Sequence, residues 1–330
     1  MTTSKPYAAY SLCAEMLETV EVIRRFDAGA LADRAPSAAR LLLSGEGSSR
    51  ILPAKYVRAT SLRAGWPVSI EIEGADQARE YRLDDFHVFL ASNSGRTAEA
   101  VRLASQREGR NMTAVVATPD SELGRLCETE ILLGCGREEA VAATKSVVEQ
   151  ALVYQALLRA AHGSRMPSMD DLARAVQTAL TMPIDREIVE RVARAPVIHF
   201  AGRNDGVAEE LTLKTNEITR RRSDYLEGTY AVHGIEEVMS PDDVVIAIEP
   251  FPEEDAAFDK ALRQGVGIDI VALASRSTPF TSVSLPDGGE LSGIVQLAAG
   301  WNLLVEVGLH LGVDLDKPQR ARKVGNAYGG

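Results

Sequence analysis

Cysteine is scarce in this 330-residue sequence, and Cys13, Cys127 and Cys135 form no close pair and no metal-ligand spacing. A sparse, odd set of cysteines is typical of reduced thiols in a cytoplasm, where most of them are small buried hydrophobic residues. The five histidines are scattered, and no His-Glu-x-x-His pattern occurs. We therefore expect neither a disulfide-stabilised protein nor a metal enzyme.

Basic charge and long apolar runs are also lacking. The formal net charge is −11 and no run of Lys or Arg stands out, which argues against binding to nucleic acids or anionic membranes. No stretch is expected to span a membrane, and the opening residues Met1–Lys5 lack the apolar core of a signal peptide. We expect a cytoplasmic protein that binds any anion through a local pocket.

What the sequence does contain is typical of a two-domain globular protein, with 45% hydrophobic and 25% charged residues. Short apolar runs alternate with helical patterns, which predicts parallel sheets covered by helices. The predicted strands are 41–43, 68–72, 88–90, 114–116, 197–200, 244–248 and 268–273. The main predicted helices are 8–26, 97 onward, 141–158, 170–180, 207–221 and 291–311. We predict an N-terminal domain over 1–165, a connection over 166–184 and a C-terminal domain over 185–330.

Two turns of the first half end a predicted strand in small hydroxyl residues and glycine, just before a helix. They are Gly45–Arg50 and Ser92–Thr97. A helix N-terminus offers N–H groups and the positive end of a dipole, and hydroxyls add further donors. At the carboxyl ends of adjacent parallel strands, two such turns would converge on one tetrahedral anion.

Each turn alone also has an ordinary interpretation. Gly45-x-Gly47 resembles a dinucleotide fingerprint, but Arg50 stands where the third glycine belongs, so the turn could be a simple strand–helix connection. Ser92 and Asn93 are favoured helix N-caps. The pair of turns therefore carries more information than either one.

One helix of the second half carries Glu210, Lys214 and Glu217 at i, i+4 and i+7, which places them on one face. Taken alone, this pattern indicates an exposed ladder of ion pairs.

Four motifs together resemble the sugar isomerase (SIS) family, and in particular the isomerase half of glucosamine-6-phosphate synthase. They are Ser92-x-Ser94-Gly95-x-Thr97; Glu138-x-x-Val141-Ala142-x-Thr144-Lys145; the Glu210–Glu217 helix followed sixteen residues later by His233-Gly234; and Asp314-x-Asp316-x-Pro318 leading to Lys323. The resemblance runs from about Leu41 to Lys323. It implies two SIS domains, each a parallel sheet flanked by helices in a flavodoxin-like, three-layer αβα arrangement.

The resemblance also implies roles for individual residues. Glu217 would be the base that moves a proton between C1 and C2, Lys323 would help to open the sugar ring, and His233 would do so from the neighbouring subunit of a homodimer. Glu210 and Lys214 would support the site. The sugar and its anionic group would be bound by Gly47, Ser48, Ser49, Ser92, Asn93, Ser94, Thr97 and the backbone near Val141. The implied chemistry needs no cofactor.

Two arginines depart from the family pattern, and they suggest an unusual anion. Arg50 follows the first turn directly, and Arg96 stands between Gly95 and Thr97. If either points into the site, the substrate could carry a 6-sulfonate instead of a 6-phosphate; both could equally be surface residues.

Glu227 is a rival base near His233.

The sequence thus predicts an aldose–ketose isomerase of a hexose with an anionic group at C6. Two alternatives stay open: an amino-sugar-6-phosphate deaminase with nearly the same residues, and a non-catalytic sugar-phosphate sensor. We place the sensor behind because Glu217, His233 and Lys323 are all present.

Overall fold

The computed structural model describes residues 1–323 and 325–329, which group into two compact units. The first-sheet unit comprises Glu21–Glu139, Ala143–Met169 and the described residues from Ala321 on. The second-sheet unit comprises Met1–Val20, Ala140–Ala142 and Asp170–Arg320. This grouping differs from the predicted limits of 1–165 and 185–330, because the two terminal segments and the short Ala140–Ala142 stretch group with the other half of the sequence.

Strands and helices alternate through the described chain. The strands are β1 (Arg40–Gly45), β2 (Ser69–Glu73), β3 (His87–Ala91), β4 (Met112–Val116), β5 (Thr129–Leu132), β6 (Val197–Gly202), β7 (Arg222–Glu227), β8 (Val244–Ile248), β9 (Asp269–Ala274) and β10 (Thr281–Ser284). The helices are α1 (Ser11–Arg25), α2 (Ile51–Ala64), α3 (Ala75–Ala78), α4 (Ala98–Gln106), α5 (Glu122–Leu126), α6 (Lys145–Ala161), α7 (Met169–Thr181), α8 (Arg186–Arg194), α9 (Val207–Thr219), α10 (Asp255–Phe258) and α11 (Ser292–His310).

The first sheet has the order β2-β1-β3-β4-β5, and every pair in it is parallel. Alternate residues of β1 point to opposite faces: Leu41 and Leu43 belong to one apolar cluster, and Leu42 belongs to another. Tyr154 of α6 packs in the first cluster and Leu103 of α4 in the second. The sheet is therefore covered by helices on both faces.

The second sheet has the order β10-β9-β8-β6-β7 and is also entirely parallel. Read from its other edge, this is the order of the first sheet, with β6 in the place of β1 and β8 in the place of β3. The predicted fold class, two flavodoxin-like α/β domains with parallel sheets, is confirmed.

Helix α11 and the turn before it, Gly289–His310, are long and apolar enough to cross a membrane, so the expectation that no stretch reaches that length is wrong. However, 83% of its most apolar window is buried inside the protein. The helix is long and apolar because it packs against other helices, including α8 and α9.

Helix α6 begins at Lys145, four residues after the predicted start at Val141. The side chain of Glu138 accepts hydrogen bonds from the N–H groups of Thr144 and Ser146. These N–H groups lie at the N-terminus of α6 and lack partners within the helix, so the carboxylate fixes where the helix begins.

Candidate active site

The two hydroxyl-rich turns lie side by side in the first-sheet unit. They follow β1 and β3, which are neighbours in the sheet, with Gly45 opposite Ala91 in the register. A Cβ on Gly45 would stand 2.8 Å from the carbonyl oxygen of Ala91, so only glycine allows this approach. The chain leaves β1 toward one edge of the sheet and β3 toward the other. Crevices at such points are where open α/β sheets bind ligands.

The first turn is a short 3₁₀ segment, Gly47–Ser49, in which Gly47 has a positive φ of 53°. Ser48 and Ser49 are half-buried, and the carbonyl oxygen of Ser49 accepts a hydrogen bond from the side chain of Gln150. This contact fixes the turn against α6.

Arg50 is half-buried directly after this turn, whereas Arg96 in the second turn is exposed. The Nε atom of Arg50 is buried and has no hydrogen-bond partner among the described residues. Burial raises the pKa of the nearby Glu46 carboxyl, and the charge of Arg50 opposes this rise. Arg50 is thus the better placed of the two arginines to add positive charge at the turn.

The second turn organises its hydroxyls through internal hydrogen bonds. The Oγ of Ser92 lies 2.8 Å from the Oγ1 of Thr97, and the Oγ of Ser94 accepts the N–H of Arg96 at 3.2 Å. In the Ser92–Thr97 pair one hydroxyl donates to the other, so the accepting hydroxyl keeps its own hydrogen for a further acceptor. Gly95, with φ of 61°, lies against Ser121, where a Cβ would stand 2.2 Å from the Ser121 Oγ.

The C-terminal tail pairs with the start of α4. The carbonyl oxygen of Asn326 accepts the N–H of Ala98 at 3.0 Å, and the N–H of Tyr328 donates to the carbonyl oxygen of Arg96 at 2.9 Å. The N–H of Ala98 at this helix N-terminus is therefore bonded to the tail and is not available to an anion. The hydroxyls of the turn supply the remaining donors.

The tail also carries Lys323 to the second turn. The Nζ of Lys323 lies 3.1 Å from the Oε2 of Glu138, and the Nδ2 of Asn93 donates to the same oxygen at 2.8 Å. Burial acts to raise the pKa of Glu138, but the ammonium of Lys323 and hydrogen bonds from Ser146 and Thr144 outweigh it and hold that pKa below its usual value. Glu138 is a site residue that sequence reasoning did not single out, although it stands in the motif that contains Val141.

Val141 lies in the second-sheet unit, and its N–H donates to the carbonyl oxygen of Asp316 at 3.3 Å. This bond connects the loop before α6 to the start of the C-terminal tail.

Helix α9 of the second-sheet unit carries a buried charged triad. The Nζ of Lys214 lies 2.8 Å from Glu217 and 3.2 Å from Glu210. The side chains of Lys214 and Glu210 are 0% exposed, and that of Glu217 is 19% exposed. Burial alone would lower the pKa of Lys214, but the two carboxylates outweigh it and raise that pKa above its usual value. The pattern is therefore a buried network and not the exposed ladder that the spacing alone indicates.

His233 and Glu227 both lie on the surface of the second-sheet unit. Glu227 ends β7, and His233 stands between the short helical turns Tyr230–Val232 and Ile235–Val238. Both side chains are exposed. Among the described residues, no hydrogen bond or ion pair joins either side chain to the triad of α9.

The equivalent crevice of the second sheet, at the carboxyl ends of β6 and β8, is filled by its own side chains. The guanidinium of Arg203 stacks 4.2 Å from the ring centre of Phe251 and donates to the carbonyl oxygen of Glu249. Only about 10 Å³ of free volume remains there. At the equivalent point of the first sheet, the two turns instead place hydroxyl groups.

The part of the chain that the structure describes contains no group of three or more His, Cys, Asp or Glu residues that could hold a metal ion.

Comparison with known proteins identifies relatives in sequence and in fold. No protein-family model matches the chain. The glutamine–fructose-6-phosphate aminotransferase (isomerizing) of Halobacterium salinarum is 27% identical over 287 residues, which cover 79% of this chain and 47% of that protein. The chain spans between 33% and 47% of the length of the curated relatives it matches.

Solved structures share the fold over nearly the whole chain. The C-terminal domain of glucosamine-fructose-6-phosphate aminotransferase from Francisella tularensis has a TM-score of 0.76 at 18% identity, covering 96% of this chain and 99% of that one. Tagatose-6-phosphate ketose/aldose isomerase from Escherichia coli has a TM-score of 0.75 at 17% identity, covering 97% and 99%.

Proposed function

We propose that this chain, a two-domain SIS protein resembling the isomerase half of glucosamine-6-phosphate synthase, is an aldose–ketose isomerase of a hexose with an anionic group at C6. The observation that carries the proposal is the triad of α9, in which a buried ammonium holds a carboxylate that is itself partly exposed. The proposal gives each unit one task. The first-sheet unit binds the anion, and the second-sheet unit carries the base.

Glu217 acts as the base. It removes the proton from C2 of the open-chain aldose while O1 gains a proton, which gives a cis-enediol. The same carboxyl returns the proton to C1 while O2 loses its proton, which gives the ketose. Lys214 supports this role because its Nζ binds Oε2 of Glu217 at 2.8 Å and leaves Oε1 for the substrate. Glu210 binds the same ammonium from the buried side and keeps it in place.

The anionic group is bound by the two turns of the first-sheet unit, through the hydroxyls of Ser49, Ser92, Ser94 and Thr97. Asn93 completes the second turn. Gly47 and Ser48 shape the first turn, and their backbone conformation supports the approach of an anion.

Arg50 is the residue that would let the site bind a 6-sulfonate. A sulfonate carries one negative charge where a phosphate carries up to two, so the turns attract it less, and the guanidinium of Arg50 adds attraction and donors that suit its oxygens. We expect Arg50→Gln to lower kcat/KM for 6-sulfoquinovose, whereas Arg96→Gln leaves it unchanged. A wild-type preference for glucose 6-phosphate over 6-sulfoquinovose would contradict the sulfonate proposal.

Lys323 and His233 serve ring opening. Lys323 is 28% exposed and lies beside the anion turn through its bond with Glu138. His233 is exposed, and Tyr230 and Val238 in the same segment are 49% and 77% exposed. This exposure supports a homodimer in which His233 acts in the neighbouring subunit's site.

A cytoplasmic location stays a prediction.

Proton NMR in D₂O tests the proposal with fructose 6-phosphate, glucosamine 6-phosphate and 6-sulfoquinovose. An isomerase interconverts the aldose and the ketose of one member and exchanges its carbon-bound proton for deuterium. Ammonia release from glucosamine 6-phosphate would instead identify the deaminase, which shares nearly all of these residues. Tight binding of one sugar without exchange would identify a sensor and contradict the proposal.

A further inference from the structure

Glu138 is the most completely bonded carboxylate in the described part of the first-sheet unit. Its side chain is 0% exposed. Oε1 accepts the N–H of Thr144 at 2.8 Å and that of Ser146 at 3.3 Å, and Oε2 accepts the Oγ of Ser146 at 2.7 Å. A buried carboxylate is costly unless its lone pairs are satisfied, and these bonds at the start of α6 satisfy most of them.

The same carboxylate joins two parts of the chain that are far apart in sequence. Oε2 accepts Asn93 Nδ2 from the anion turn at 2.8 Å and Lys323 Nζ from the tail at 3.1 Å. The ammonium of Lys323 forms an ion pair with this fully buried carboxylate. Because its pKa lies below the usual value, Glu138 is ionised at neutral pH and holds both donors.

The backbone of the tail continues this attachment. Two hydrogen bonds join Asn326 and Tyr328 to Ala98 and Arg96, and the side chain of Asn326 donates to Glu99 at 2.6 Å. The tail beyond Arg320 has no strand partner other than the isolated antiparallel bridge between Thr97 and Ala327 among the described residues. Lys323 adds to these bonds a charge pair with a carboxylate that is 0% exposed.

We infer that Glu138 is a positioning residue: it holds the ammonium of Lys323 and the amide of Asn93 on one carboxylate, so that the ring-opening group and the anion turn are fixed together. The inference rests on the proposed function, which makes Lys323 catalytic. A neutral residue at 138 would release Lys323 and loosen the tail without removing any group that touches the sugar.

Hydrogen exchange of the Ala98 and Tyr328 amides tests the anchor directly, because both protons are protected by the tail pairing. In Glu138→Gln we expect exchange at both amides to accelerate about tenfold or more, since a buried pair has lost one charge. The matched control is Glu139→Gln, the next residue, which is 62% exposed and pairs with Arg137 at 2.9 Å. Glu139→Gln should leave the exchange rates of both amides unchanged. If the two amides exchange equally fast in Glu138→Gln and in the wild type, the inference is overturned.

Kinetics separate positioning from a structural role. We expect Glu138→Gln to lower kcat about 10- to 100-fold with a smaller change in KM, because a displaced catalytic group slows the step without weakening anion binding. The double variant Glu138→Gln/Lys323→Met should be no slower than Lys323→Met alone. An unchanged kcat in Glu138→Gln would overturn the positioning role even if the tail exchanged faster.

The anchor can still be tested if Glu138→Gln fails to fold or if the proposed function is wrong. If Glu138→Gln does not fold, Lys323→Met removes the partly exposed end of the same pair, and unchanged exchange at Ala98 and Tyr328 would overturn the anchor. If the wild-type chain turns over none of the sugars, the proposed function fails, and the exchange measurement decides the anchor by itself.

Discussion

At the scale of single residues, the charge balance of α9 depends on Lys214. The ammonium is 0% exposed and lies between two carboxylates, so the triad as a whole carries excess negative charge in a buried place. Ion pairs of this kind add little stability over apolar residues, but they are costly to break because one member is left buried without its counter-charge. The triad is therefore explained by a catalytic role better than by a contribution to stability.

We predict that Lys214→Met lowers the free energy of unfolding by about 3–5 kcal/mol, because Glu210 loses its buried counter-charge. Urea denaturation monitored by circular dichroism measures this change. The control is Arg186→Gln, which removes an ion pair with Glu190 whose side chains are 87% and 34% exposed, and which should cost less than about 1 kcal/mol. Equal effects of the two substitutions would contradict the buried triad.

Glu138 gives the protein a distinct dependence on acid. Its pKa in the folded protein lies below the ordinary value of 4.5, so the ionised form stabilises the fold above that value. This contribution is lost as the pH falls through the lowered folded-state pKa. The stability difference between the wild type and Glu138→Gln should therefore stay constant from about pH 6 to 8 and shrink below 4.5. A difference that grows on acidification would contradict the assignment.

The sequence motifs identify many of these residues but not their contacts. Glu210, Lys214 and Glu217 follow from helical spacing, yet burial depends on which face α9 turns to the core, and spacing alone does not determine this. Glu138 was overlooked because a single acidic residue in a loop has no periodicity. The bond between Glu138 and Lys323 joins positions 185 residues apart, which no local pattern reveals.

At the scale of elements, α9 is positioned by its contact with α11. A Cβ on Gly300 would stand 2.4 Å from the Cδ2 of Leu211, so the absence of a side chain at Gly300 allows the two helices to approach. Leu211 is 0% exposed. The position of the triad thus depends on a small residue in a different helix.

Gly300→Ala tests this contact. Replacing a helical glycine by alanine gains about 1 kcal/mol, but overpacking a buried site costs about 1–3 kcal/mol, so we expect a net loss of stability together with lower activity. Adding Leu211→Ala should recover part of both losses, because it removes the atoms that clash. Thermal unfolding and turnover are measured for the wild type, the two single variants and the double variant. If the losses of the two single variants simply add in the double variant, Gly300 and Leu211 do not pack directly against each other.

The strands that sequence reasoning missed are all at sheet edges. β5, β7 and β10 each have a partner on one side only, and they are partly exposed with polar residues such as those of Arg222–Glu227. The central strands β1, β3, β4, β6, β8 and β9 are covered on both faces and have the short apolar runs that the sequence pattern detects. The alternation of strands and helices predicts that the strands of each sheet run parallel. It does not reveal the polar edge strands β5, β7 and β10.

At the scale of the whole molecule, the two units have the same strand order but different side chains at their crevices. The crevice of the first sheet presents hydroxyl groups, whereas that of the second is filled by Arg203 and Phe251. We expect Arg203→Ala to leave anion binding unchanged, measured by isothermal titration with inorganic phosphate. Ser92→Ala/Thr97→Val should weaken it at least about tenfold, because it removes the hydroxyl that donates to the anion together with the hydroxyl that orients it. Comparable losses in both variants would contradict the division between the units.

The proposed homodimer predicts complementation between two inactive variants. Glu217→Gln lacks the base and His233→Asn lacks the residue supplied to the neighbouring site. Mixed in equal amounts with subunit exchange, half of the dimers would be heterodimers with one intact site, so about a quarter of wild-type activity should return. If no activity returns after exchange has been verified, His233 acts within its own subunit or not at all.

The most direct test of the account is deuterium exchange at the carbon-bound proton of the substrate in D₂O, followed for the wild type, Glu217→Gln and Glu227→Gln. We predict that Glu217→Gln still binds the sugar but exchanges at least about 100-fold more slowly, because the base is lost. Glu227→Gln should exchange at the wild-type rate. Full exchange in Glu217→Gln with none in Glu227→Gln would contradict the account and make Glu227 the base.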